Sequence, residues 1–214
     1  ADHCCVDHET GQKKEEKTNV APCMDVPFSS VCDQLTVAMH NVTYRTDILQ
    51  KNNIHFDNCF YTDAEYLLYP IPYVKTVTVA PQTIYMYRVS LSTQSMNINS
   101  LQRNCAMHEL VLGHLSDAYA AYENSGTSEP KIAAFLRRNI ARIAGMQLFI
   151  YLTATDSKAA KQSAKAMVKT IKGKSETLYT ELNGAKSFKM LTSTNFLLFP
   201  VLASMKKREV GAND

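Results

Sequence analysis

The stretch "DAEYLLYPIPYVKTVTVAPQTIYMYRV", residues 63–89, holds three structural signals in close succession. "DAEYLLY" places apolar and aromatic side chains at helical spacing behind two acids, Asp63 and Glu65. Pro70 and Pro72 then forbid the helix to continue, because each lacks the amide hydrogen and its ring crowds the preceding turn. "VKTVTVAP" and "TIYMYRV" alternate with the two-residue period of strands and are rich in β-branched and aromatic residues. A short helix followed by two strands predicts a mixed α/β region.

Upstream, "HCCVDHETGQKKEE" reads as strand, turn at Glu9-Thr10-Gly11, and strand. "QLTVAMHNVTYR" predicts a strand with a short connection, and "YRTDILQKNN" a short helix with Thr46 as N-cap. Downstream, the period changes. "INSLQRNCAMHELVLGHLSDAYAAYEN" puts Leu101, Cys105, His108, Leu112, Leu115, Ala118 and Tyr119 on one helical stripe. Ser125-Gly126 interrupts it, and Pro130 opens a second helix carrying Ile132, Phe135, Leu136, Ile140, Ile143 and Leu148. A lysine-rich amphipathic helix capped by Asp156 or Ser157 follows, and shorter helices finish the chain. The expected organisation is α/β over residues 1–97 and a helical bundle over 98–214.

The 214 residues are 45% hydrophobic, enough for a substantial core. A net charge of +3 and the lack of any recognised module argue against a nucleic-acid partner. No apolar run reaches the roughly 18 residues of a membrane span. "TNFLLFPVLASM" is short, contains Pro200, and reads as a buried or a docking helix, with contact at a membrane surface left open. The six cysteines form no regular framework and are expected as reduced thiols. "HCCVDH" has the residue types of a metal site, but adjacent cysteines suit a buried strand better than one zinc ion. There is no glycine-rich phosphate loop, no H-E-x-x-H, no G-x-S-x-G and no D-x-D.

Asp63 has two readings. As an N-cap, its carboxylate would accept the open amides of the first turn. Aimed outward from the same place, it suits a general base, provided an acceptor hydroxyl comes within hydrogen-bond reach. Phe60, Tyr61 and Tyr66 offer flat faces to a sugar ring, or else fill core.

The order of motifs over residues 30–97 resembles the C-terminal part of the catalytic domain of family-2 inverting glycosyltransferases of the GT-A fold. The segments are Tyr44-Arg45 through Leu49, Asn52 or Asn53, Ile54 and Phe56; then Thr62-Asp63 where that family has Glu-Asp; then Pro81, Tyr85, Tyr87 and Arg88; then Ser92 and Ser95. The resemblance implies a partial GT-A-like sheet with helices, followed by a helical extension. It implies Asp63 as the catalytic base, Arg88, Gln94 and Ser95 at the donor diphosphate, and Tyr61 and Glu65 at the acceptor. The partners implied are a nucleotide-sugar donor and a glycan acceptor, in bacterial surface glycan synthesis. The implied location is cytoplasmic, at most peripheral to the inner face of the membrane. Thr62 departs from the family's Glu, and the nucleotide-binding half with its D-x-D is not among these residues. Mg or Mn is therefore expected in a full-length enzyme and none on this chain, which as a C-terminal fragment is expected to be inactive alone. A non-catalytic helical interaction or homo-oligomerisation module on a degenerate transferase is the alternative.

Overall fold

The computed structural model describes residues 1–89 and 97–211. The chain divides into two compact units, Ala1–Ser100 with Tyr122–Leu136 and Leu101–Ala121 with Arg137–Asp214. An N-terminal region of small mixed sheets and short helices is followed by a bundle of packed helices, the fold class expected from the sequence.

In the first unit, β1 (Asp2–Asp7) and β2 (Lys13–Glu16) form an antiparallel hairpin. Its turn is closed by Asp7, whose Oδ1 accepts from the amides of Glu9 at 3.1 Å and Thr10 at 2.8 Å. Gly11 takes a φ of +69°, which glycine adopts at little cost. On its other edge β1 pairs in parallel with β5 (Thr83–Val89), giving the order β2-β1-β5. A second, two-stranded sheet pairs β3 (Cys23–Pro27) with β4 (Thr76–Val79). The two consecutive strands of the opening stretch thus join different sheets.

Between them lie α1 (Thr46–Lys51) and α2 (Asp63–Leu68). Thr46 is the first helical residue of α1 rather than its cap, a position held by Arg45. The helix α2 ends just ahead of Pro70, and a single 3-10 turn, Ile71–Tyr73, follows, as the two prolines dictate. "QLTVAMHN" does not form the expected strand. The Asn41 side chain accepts from the Ala38 amide at 2.9 Å and closes a 3-10 turn, Met39–Asn41, so the backbone is satisfied locally. No disulfide links the six cysteines, all of which are described. Within "HCCVDH", strand alternation sends Cys4 into the core and His3 and Cys5 to the other face, so the segment does not converge on one point.

The loop between the two longest helices belongs to this first unit. Phe135 packs edge-on against Phe28 with ring centroids 5.3 Å apart, and the Cys32 thiol lies 3.7 Å from the Lys131 carbonyl oxygen. Phe28, Cys32 and Phe135 are almost fully buried and form the centre of the unit's core with Leu68, Ile71 and Val79.

The second unit draws on α3 (Ile98–Arg103), α4 (Cys105–Glu123), α5 (Pro130–Thr153), α6 (Ser157–Lys174), α7 (Glu176–Leu182), α8 (Lys186–Ser193) and α9 (Phe199–Gly211). The first expected helix is broken at Asn104 into α3 and α4. Leu112, Leu115 and Tyr119 face the core as read from the periodicity, while Ala118 is exposed. Asp156 caps α6 by accepting from the amides of Lys158 and Ala159, both at 3.0 Å. Inside the bundle Gln147 takes His108 Nδ1 on its carbonyl at 2.7 Å and donates to the Cys105 thiol at 3.3 Å, fixing α4 against α5. Burial raises the Cys105 thiol pKa, although the Gln147 amide opposes the shift. Among the described residues, no helix is long and apolar enough to cross a membrane.

Candidate functional site

The two acids of "TDAE" have opposite fates. Residues two apart on a helix lie on nearly opposite faces, so α2 cannot present both to one place. Asp63, the first residue of the helix, is exposed, and its carboxylate makes no hydrogen bond or ion pair among the described residues. The N-cap position belongs to Thr62, in helical conformation, so Asp63 does not cap α2. Glu65 is completely buried.

Glu65 acts as a bracket. Its Oε2 accepts from the Asp57 amide at 2.8 Å and the Thr62 hydroxyl at 3.3 Å, and its Oε1 accepts from the Tyr69 hydroxyl at 3.0 Å. A buried carboxylate needs such donors to offset lost hydration. In return it fastens both ends of the loop 57–62 to the helix.

That loop is bent sharply. Tyr61 has a φ of 71°, a left-handed conformation that costs an aromatic residue on the order of 1–3 kcal/mol. Tyr61 and Phe60 have ring centroids 6.2 Å apart, and Phe60 is 51% exposed beside the Asp63 turn.

Below the turn, aromatic side chains lock α2 in place. Tyr66 donates to the Val42 carbonyl at 3.1 Å, and Tyr44 donates to that of Leu67 at 2.7 Å. The Tyr44 and Tyr66 rings meet edge to face at 5.4 Å, and Phe56 packs against Tyr66 at 5.8 Å. Burial, aided by Tyr66, raises the Tyr44 phenol pKa far above its usual value. Tyr66 is thus a packing residue, one of the two roles open to it from sequence.

Tyr61, Asp63 and Glu65 therefore share one turn, with Glu65 inside it. Arg88 lies on β5, opposite Val6 of β1, with its side chain exposed. Gln94 and Ser95 lie outside the described residues. A cavity of about 300 Å³ opens elsewhere in the first unit, lined by Phe28, Val42, Tyr44, Ile71, Val77 and Thr78 among others, and Tyr61, Asp63, Glu65 and Arg88 are not among its lining residues.

No protein-family model, curated protein or solved structure matches this chain. The resemblance drawn from the sequence rests on the order of its motifs alone.

Sequence reasoning missed the inward role of Glu65, although a signal for it was present. Thr62-Asp63-Ala64-Glu65 has the T-x-x-E spacing of a capping box, which turns the fourth residue back over the helix start. Here the reach is longer, to the Asp57 amide. Also missed was a ring cluster on the sheet. His40 stacks on Tyr87 at 4.9 Å and on Tyr85 at 5.4 Å, and meets the His3 ring edge-on at 4.1 Å. Burial, and the neighbouring His3, lower the His40 pKa. Nothing in the spacing of His3 and His40 announces this cluster, because it depends on β1 lying beside β5.

Proposed function

We propose that the chain forms the acceptor-side part of an inverting sugar-nucleotide-dependent glycosyltransferase, with Asp63 as the general base. The observation that carries this reading is the division of labour within one turn. A sealed carboxylate, Glu65, braces a strained loop, and next to that loop stands a second carboxylate, Asp63, that no group among the described residues engages. Strain that the surroundings sustain is a feature of positions where placement matters. Phe60 and Tyr61, which precede Asp63 in the same loop, carry ring faces of the kind that pack against a pyranose.

In the proposed step the acceptor hydroxyl gives its proton to an Asp63 oxygen. The acceptor oxygen bonds to the anomeric carbon while the bond from that carbon to the diphosphate oxygen breaks, and the configuration inverts. Arg88, Gln94 and Ser95 belong to the diphosphate side by the same resemblance; the Arg88 cation would offset charge developing on the leaving group. Glu65 serves as a positioning residue, in place of the acceptor contact first assigned to it. No step is routed through a metal.

Asp63→Asn in the enzyme carrying this segment together with a nucleotide-binding half should lower transfer by about 10²–10⁴-fold. Donor affinity should stay unchanged. Parent-like turnover would remove Asp63 from the chemistry. With the present chain alone, short oligosaccharides should perturb the amide resonances of Phe60, Tyr61 and Asp63; a panel that moves none of them counts against an acceptor site.

A further inference from the structure

We propose that the outward side of α9, with the basic row of α6 beside it, is a docking surface for an anionic phospholipid bilayer. Phe199 and Ala203 turn inward and are buried, while Leu197, Val201 and Met205 are 74%, 55% and 59% exposed. Val201 and Met205 stand one turn apart on α9, and Leu197 precedes Val201 by the same spacing in the turn before the helix. Pro200 and Ser204, also exposed, carry no charge, and Arg208 closes the stripe. The helix thus hides its narrow side and shows water an apolar one.

Two contacts fix what borders that stripe. Lys207 donates to the hydroxyl of Ser157 at the start of α6, at 3.2 Å, and the Lys165 ammonium lies 5.9 Å from the ring of Phe196 just before α9. The two helices therefore run antiparallel, and Ser157, Lys161 and Lys165, spaced by four, form the row of α6 along α9. Between them is an open recess of about 400 Å³ lined by Ser157, Pro200, Ala203, Ser204, Lys207 and Arg208. Two cations and two hydroxyls in one recess match a phosphate, and the apolar stripe next to it matches acyl chains. The acidic groups nearby are already engaged. Asp156 caps α6, and Glu209 pairs with Lys206 at 2.6 Å.

Charge complementarity selects the occupant. A second copy of this surface would bring Lys161, Lys165, Lys207 and Arg208 against their own kind. A neutral partner would leave them unanswered. An anionic lipid surface takes both components at once: long basic side chains keep their charge at the headgroups while the apolar face enters the boundary region. Each basic residue near such a surface strengthens binding by about fivefold. The proposal stands apart from the sugar-transfer reading, since it needs neither donor nor acceptor.

The test is flotation of the full chain with phosphatidylcholine vesicles, with or without about 30% phosphatidylglycerol, at near-physiological salt. At least a tenfold preference for the anionic vesicles is expected. Val201→Asp with Met205→Asp should lower binding about tenfold or more, and Arg208→Glu should lower it several-fold and flatten its salt dependence. All of these side chains are exposed, and circular dichroism would verify that the variants fold. Equal binding to neutral vesicles, no binding to either, or parent-like binding by the double aspartate variant would each overturn the proposal. So would displacement from the vesicles by millimolar inorganic phosphate, which would reduce the recess to a site for a free anion, or a dimer in sedimentation velocity that the double aspartate variant converts to monomer.

Discussion

The two units solve the problem of buried polar groups in different ways. In the helical unit the backbone satisfies itself, Asp156 and Ser175 cap α6 and α7, and side-chain polarity in the core is confined to a few contacts such as that between His108 and Gln147. The first unit has short strands, two small sheets and non-glycine residues at positive φ in three separate loops, at Asp25, Asn53 and Tyr61, whereas the described residues of the helical unit have theirs, Asn195 and Phe196, side by side in the one turn between α8 and α9. The first unit's loops are held by side chains bonded to main chain, Glu65 and Tyr44 chief among them. The contrast teaches where function is affordable. A helical bundle repeats one local solution, whereas a loop bracketed by a buried acid can hold an unusual geometry at a chosen point.

The contrast is tested most strongly by a change in the helical core. Phe188 is 1% exposed, and Phe188→Ala should cost about 3–5 kcal/mol through lost burial and the cavity left behind. Denaturant unfolding at constant slope would measure it. A loss under about 1 kcal/mol would mean that the bundle collapses around the gap and is not tightly packed.

Second comes the bracket. Glu65→Gln keeps the volume but replaces one acceptor oxygen with a donor and removes the charge from three hydrogen bonds. The expected loss is about 2–3 kcal/mol. Amide exchange should quicken at Asp57 before it quickens in α4. An unchanged exchange rate there would show that the loop is held by its aromatic contacts instead.

How much of this could be read from the chain depends on the range of the interaction. The helices were legible because their apolar residues recur every three or four positions, and the end of α2 because Pro70 and Pro72 admit no alternative. The turn at Asp7 to Gly11 was legible for the same local reason. Strand pairing was not. The strand β5 joins β1 from the far end of the unit, and no period in "TIYMYRV" names its partner. Residues 35–37 alternate like a strand yet line the cavity, because Asn41 closes a turn just after them. At the candidate site the exposed start of α2 was legible. The inward turn of Glu65 was not, since its first partner, the Asp57 amide, lies in a loop with no periodic pattern.

A smaller effect separates the units by pH. His40 has its pKa lowered from 6.5 by burial and by His3, and the groups facing it are His3 of β1 and Tyr85 and Tyr87 of β5, with Glu16 paired across from His3. Above 6.5 the ring is neutral folded or unfolded, so it contributes no pH dependence. As pH falls through 6.5 toward the lower folded value, the unfolded chain takes up the proton first and the first unit loses stability. His40→Phe should remove that slope without flattening any slope in the helical unit, as residue-specific amide exchange between pH 7 and about 5 would reveal. A slope that persists in the variant would shift the assignment to another group.

The smallest stability effect is expected at Asp63, and it is the most informative. Asp63 and Glu65 share a motif, a helix turn and a charge, so a purely structural role for "TDAE" would make both substitutions costly. The geometry separates them. Asp63 is exposed and engages nothing among the described residues, so Asp63→Ala should shift stability by no more than about 0.5 kcal/mol. Its carboxylate does sit at the favourable end of α2, but a six-residue exposed helix start contributes only a few tenths of a kcal/mol. The double variant with Glu65→Gln should then be additive within about 0.5 kcal/mol, because the two side chains share no partner. Non-additivity beyond that would place Asp63 in the bracket and leave the turn with no spare carboxylate to offer a substrate. Additivity with a near-zero single effect would leave a strained, braced loop displaying an acid that stability does not need, which is the condition a catalytic role requires.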